Sequence, residues 1–204
     1  NCSLTNYIDA MRYVVSCGGY AVRMGSAVSE NLPDLDDARI IDYARHHRSD
    51  FGDIYLLARC KFLVGCSSGL VSGPMIFNVP VIHANFIPLS YLHLGNQDLF
   101  LPKPIWSVKE ERDLTFREIL DSPLRKRSED YDAAGLQVLE NSAEDILAVT
   151  REMNERLDGN FISSEDARAL QQKLQSLVQP KHWCYGTEIR TGEEFALTHR
   201  DLFD

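Results

Sequence analysis

Phe62-Leu63-Val64-Gly65-Cys66-Ser67-Ser68-Gly69-Leu70 sets small and hydroxyl-bearing residues between two apolar runs. The pattern predicts a buried strand, a tight turn and the start of a helix. Small side chains let a ligand approach the backbone, and the first N–H groups of a helix lack intrahelical acceptors. With the hydroxyls of Ser67 and Ser68, and the backbone at Gly69, such a turn can hold an anion, above all a phosphate. Two other readings fit the same letters. A strand-to-helix connection in an α/β sheet needs small residues for packing alone. Gly65-Cys66-Ser67-Ser68-Gly69 also fits the G-x-S-x-G nucleophile elbow, with Ser67 as nucleophile.

Arg23 is the most informative charged residue. It closes an apolar run in Val22-Arg23-Met24-Gly25, where a guanidinium can fork two hydrogen bonds onto a phosphate. Equally, it can pair with Asp42 or Asp50 at a sheet edge. Asp42 can orient Arg23, accept from a sugar or ribose hydroxyl, or serve as a cap. Asn85 can bond a ligand or hold a turn. The six histidines show no H-x-x-x-H spacing and the five cysteines no C-x-x-C pair, so no metal is assigned. The elbow reading needs an acid and a His on later loops. His83, His93, His182 and His199 are available, but no strand–Asp–strand–His order is legible past Val81, and Pro74 interrupts the helix that should back Ser67.

The elements that position these residues follow from periodicity. Asn6–Cys17 reads as a helix stopped by Gly18-Gly19, Tyr20–Val22 as a strand, 26–38 as a polar loop, and Ile40-Ile41 as a strand closed by Asp42-Tyr43. Ser49–Asp53 can cap a helix through Arg59. A short helix from Leu70 to Phe77 and a strand at Val79–Ile82 follow. Alternating strands and helices predict a doubly wound, Rossmann-like parallel sheet over residues 1–157. Ligands of such sheets sit beyond the carboxyl ends of the strands, where Arg23, Asp42, Ser67 and Asn85 all fall. Ile87–Pro104, with three prolines, is expected to wrap the sheet rather than enter it. Asp113–Leu120 reads as a helix, Asn141-Ser142-Ala143-Glu144 as a capping box, and residues 158–204 as a helical extension and tail. That tail can pack back on the domain or on a partner region.

Composition bounds the function. The chain of 204 residues is 44% hydrophobic and 25% charged, as in ordinary soluble proteins. No apolar run approaches the ~20 residues of a membrane span, and no signal-peptide pattern opens the chain. A net charge of −9 argues against a general nucleic-acid binder, and Arg125-Lys126-Arg127 reads as a solvated loop. The odd cysteine count fits a reducing cytoplasm. Because the chain begins at Asn1 rather than Met, further residues are expected upstream.

Four stretches together carry a resemblance: Val22–Gly25, Ile40-Ile41-Asp42-Tyr43-Ala44, Ser49-Asp50-Phe51-Gly52-Asp53-Ile54-Tyr55-Leu56 and Gly65–Leu70. Phe100–Lys103, Leu114–Leu120 and Glu140–Ile146 continue it in the same order. From about Asn6 to Leu177 the chain resembles a family of bacterial glycosyltransferases associated with surface polysaccharide or glycan assembly. The resemblance implies the C-terminal, nucleotide-sugar-binding half of a GT-B-like enzyme, with no cofactor beyond the nucleotide-sugar substrate. An N-terminal half would precede Asn1 and carry the glycan or glycolipid acceptor. The implied substrate-binding set is Arg23, Gly25, Asp42, Tyr43, Ser67, Ser68, Gly69 and Asn85, with Arg23 as the candidate catalytic cation.

Overall fold

The computed structural model describes residues 2–92, 94–95, 97–123 and 127–204. His93, Arg125 and Lys126, named above, lie outside the described residues. A 3-10 turn, Leu4–Tyr7, leads into α1 (Ile8–Ser16), β1 (Ala21–Val22), β2 (Ile40–Ile41), α2 (Tyr43–His46) and α3 (Asp50–Arg59). Then come β3 (Leu63–Gly65), a 3-10 turn at Gly69–Val71, α4 (Ser72–Ile76), β4 (Val81–Phe86), β5 (Leu99–Pro102), β6 (Ile105–Ser107) and β7 (Arg112–Asp113). The chain finishes with α5 (Phe116–Asp121), α6 (Ser128–Asp132), β8 (Leu136–Val138), α7 (Ala143–Leu157), α8 (Glu165–Leu177) and α9 (Glu193–Thr198).

Mixed helix and strand with small parallel sheets is the observed class. β1 pairs with β2, and β3-β4-β5 forms a second sheet, all pairings parallel. A third, antiparallel sheet, β7-β6-β8, was not expected from the sequence. Local chemistry explains the boundaries. Ser49 Oγ accepts from Gly52 N–H at 3.0 Å and so starts α3 at Asp50, within the stretch expected to cap it. Thr115 and Glu118 form a capping box on α5. The expected box at Asn141 sits one residue later: Ser142 and Asp145 cap α7, because Asn141 is wholly buried and turned inward.

The expectation for Ile87–Pro104 is corrected. Leu99–Pro102 is a buried strand that enters the sheet beside β4. Pro102 is tolerated because it ends the strand, on a sheet edge that among the described residues meets an isolated bridge between Phe100 and Thr191, and Pro88 and Pro104 lie outside it. That bridge also shows where the last forty-odd residues go. Leu174, Leu177, Phe195, Ala196 and Phe203 lie in one core with Ile82, Phe100, Ile146 and Met153, so the tail packs back on the domain. Among the described residues no helix is long and apolar enough to cross a membrane.

Candidate functional site

Arg23 follows β1 and Asp42 follows β2, and parallel pairing of these strands brings the two side chains together. Arg23 Nη1 donates to Asp42 Oδ2 at 3.1 Å, with side chains only 9% and 10% exposed. Arg23 Nη2 donates to the carbonyl of Glu30 at 2.9 Å. The guanidinium fork, expected on a phosphate or on an aspartate, is therefore divided between Asp42 and the loop carbonyl. Asp42 Oδ1 is buried and has no donor among the described residues. Gly25, two residues on, has φ +143°, and a Cβ there would lie 3.0 Å from Val28. A side chain is disfavoured at this turn on both counts.

Tyr43 is 7% exposed and clasps the cap of α3. Its hydroxyl donates to Ser49 O at 2.9 Å and accepts from Ser49 N–H at 3.0 Å. It holds the loop between α2 and α3, a task complete without a ligand.

The turn after β3 is exposed at Ser67, Ser68 and Gly69. Gly65 is needed for close approach, since a Cβ there would stand 2.6 Å from Val71 Cγ1. The opposite holds at Gly69, where a Cβ would meet nothing within 4 Å. Ser67 Oγ accepts from Ile87 N–H at 3.2 Å and donates to Ile87 O at 3.3 Å. That hydroxyl ties the β3 turn to the exit of β4, and its partner is backbone rather than an imidazole. Among the described residues the one buried His–Asp contact, His83 Nε2 to Asp98 Oδ2 at 3.5 Å, lies elsewhere. Asp98 also accepts from Val81 N–H at 2.8 Å, which places it at the amino end of β4, away from Ser67. Burial pushes the Asp98 carboxyl up, but hydrogen bonds from His83, Gly95 and Val81 outweigh it and hold the group below its ordinary value.

Asn85 is 1% exposed with φ 52°. Its N–H donates to Asn141 Oδ1 at 2.6 Å, and Asn141 N–H returns a bond to Asn85 Oδ1 at 2.8 Å. Asn85 Nδ2 donates to Tyr7 Oη at 3.1 Å, and Asn141 Nδ2 to Pro102 O at 2.8 Å. Asn85 therefore lies inside β4, at the register shift against β5, rather than beyond the strand, and its N–H, Oδ1 and Nδ2 are each bonded within the protein.

Sequence reasoning missed Cys2, Tyr7 and Cys66, which meet beside this knot. Tyr7 Oη donates to Cys2 Sγ at 3.5 Å. A hydrogen bond with Cys66, reinforced by Tyr7, pulls the Cys2 thiol down to about 6 despite half-burial. The same bond, with burial, pushes the Cys66 thiol up. No spacing rule could have paired positions 2 and 66; Tyr7, half-buried at the start of α1, is the local neighbour that joins them. Among the described residues no cluster of His, Cys, Asp and Glu could hold a metal ion. Comparison with family models, with curated proteins and with solved structures gave no match to this chain.

Proposed function

We propose that this chain is the donor-binding half of a glycosyltransferase of bacterial surface glycan assembly, built on a Rossmann-like parallel sheet and working in the cytoplasm. The observation that supports it most is at the carboxyl ends of the parallel strands. An exposed turn of small residues, Ser67–Gly69, follows β3, while Asp42 after β2 keeps a buried carboxylate oxygen without a donor. A nucleoside diphosphate brings phosphates for the first and ribose hydroxyls for the second.

The proposed chemistry is charge stabilisation. As the sugar–oxygen bond of the donor breaks, negative charge develops on the leaving diphosphate, and fixed donors there lower the barrier. Backbone N–H groups at Ser68 and Gly69 and the Ser68 hydroxyl are the proposed cradle. Arg23, held in place by Asp42 and Glu30, is the proposed cation, acting through the N–H groups those partners leave over. The acceptor, a glycan or glycolipid, and the base that deprotonates it belong to the N-terminal half.

The test is a thermal shift read across uridine, guanosine, adenosine and cytidine diphosphates. A micromolar binder at millimolar concentration stabilises by about 4 kcal/mol. Ser68→Ala and Asp42→Asn should each shrink the response to the preferred nucleotide. If none of the four diphosphates shifts the transition, the reading fails. Covalent labelling of Ser67 by a fluorophosphonate would instead establish the hydrolase.

A further inference from the structure

The two parallel sheets do not join. Among the described residues β1 and β3 share no ladder. Between them lies a cavity of about 460 Å³, walled by Tyr20–Val22 on one side and Phe62–Val64 on the other. α1 contributes Met11 and Val14 to its lining and α3 contributes Leu56. A groove this apolar, flanked by two strands and lined by helices, has the make-up of a sheet interior.

The strand edges facing it are unmet. In a parallel ladder alternate residues turn their N–H and C=O to opposite sides. Ala21 N–H bonds Arg39 O and Arg23 N–H bonds Ile41 O, so Val22 between them turns its backbone groups away from β2. Leu63 N–H bonds Pro80 O, so Val64 turns its own away from β4. Among the described residues the N–H groups of Val22 and Val64 find no acceptor. Unpaired backbone in apolar surroundings is costly, and a strand is what satisfies it on both sides at once.

The path of the chain says where that strand comes from. Leu4 N–H donates to Glu30 in the loop after β1, at 3.2 Å. Cys2, which accepts from Tyr7 Oη, lies near Cys66, directly after β3. Residues 2–4 therefore lie across the carboxyl mouth of the cavity. They lead into α1, which leads into β1. A right-handed strand–α1–β1 crossover puts the preceding strand beside β1, in this gap.

We propose that the cavity is a strand slot, filled by an apolar β-strand of the polypeptide immediately ahead of Cys2, running parallel to β1 and β3 and leaving at residues 2–4. Filled, it joins both parallel sheets into one, in the spatial order β2-β1-slot-β3-β4-β5. Helices on both faces require the inserted strand to be apolar on both faces.

The experiment compares this chain with the same chain extended upstream in its own reading frame, by residue-resolved amide exchange. The Val22 and Val64 amides should exchange rapidly in this chain and slow by about 100-fold or more in the extended one. Equal exchange in both chains overturns the proposal. So does a concentration-dependent dimer of this chain in which both amides are already protected, since a second copy then fills the slot. So does a small apolar molecule that copurifies one to one and stays bound in the extended chain. Val64→Pro removes the N–H aimed at the slot without removing a β4 bond. Both chains lose the packing of Val64 against the core, so the loss of stability should be larger in the extended chain by most of what extension gained; equal losses in both would also overturn the proposal.

Discussion

All of β5 and all of β4 except Phe86 are buried, whereas of the four residues in β1 and β2 only Ala21 is. Both regions are built mainly of apolar residues, Ala-Val and Ile-Ile in β1 and β2, Val-Ile and Leu-Phe-Leu opening β4 and β5. The difference lies in their neighbours. β4 has a strand on each side, and β5 is covered by α7 and tied to the tail through Thr191. β1 has one partner and a cavity. Several exposed apolar side chains belong to the β1–α4 region, Tyr20 at 66%, Phe51 at 77% and Ile76 at 79%, although Ile162 and Trp183 are as exposed elsewhere. The lesson is that an apolar pattern names a strand, but its contribution to stability depends on whether the flanking elements are present. The candidate residues Arg23, Asp42 and Ser67–Gly69 all lie in the region with unmet surface.

Substitutions can break that comparison. Phe100→Ala in β5 should cost about 4 kcal/mol in denaturant unfolding, the scale of an emptied aromatic site in a tight core. Val22→Ala in β1 should cost less than about 1 kcal/mol in this chain, because the cavity already denies it contacts on one side. Comparable losses at the two positions would erase the distinction between the regions. Asn141→Ala should come next, at about 3 kcal/mol, because it strips the Asn85 N–H and the Pro102 carbonyl of their partners in a dry site. Arg23→Ala should cost about 2 kcal/mol, since it leaves a nearly buried Asp42 unpaired. Arg23→Lys should recover part of that, keeping the charge but not both arms of the fork. If Arg23→Ala is neutral for unfolding, the pair contributes nothing to this edge, and any effect on transfer belongs to substrate alone.

Much of the first eighty-six residues was legible. Gly18-Gly19, the Ser49 cap and the apolar runs at 20–22, 40–41 and 62–64 are local signals, and the elements they mark formed. What escaped depended on distant partners. Leu99-Phe100-Leu101 has no alternation because both of its faces are covered, and next to three prolines it read as loop. Asn85 held two readings until its partner was seen to be Asn141, 56 residues away. Arg23 held two readings for the same reason, and the pairing with Asp42 is set by β1–β2 register rather than by local sequence. Ser67 matched an elbow in letters, yet its hydroxyl is spent on the backbone of Ile87. Short patterns listed the polar residues of the sheet edge; only tertiary structure assigned their work.

The smallest expected effect is also the sharpest reporter of the open region. Cys2 lies at the mouth of the slot with its thiol lowered to about 6 from an ordinary value of 9.0, chiefly through Cys66 and then Tyr7. A depressed acid favours its charged form in the folded state. Its contribution to stability is therefore complete above pH 9 and fades as pH falls through about 6. Half-burial keeps this contribution modest, so reactivity is the better measurement. Iodoacetamide should modify Cys2 with a midpoint near pH 6, while Cys66, whose thiol is pushed up, stays unmodified under the same conditions. Cys66→Ala removes the principal hydrogen bond and should move the Cys2 midpoint towards 9. A strand entering the slot would turn the free start of the chain into an internal segment and restrict access to that thiol. The extended chain should accordingly react more slowly at every pH without losing the Cys66 dependence. If Cys66→Ala leaves the Cys2 midpoint unmoved, residues 2–4 do not sit against the end of β3, and the route by which a strand would leave the slot is wrong.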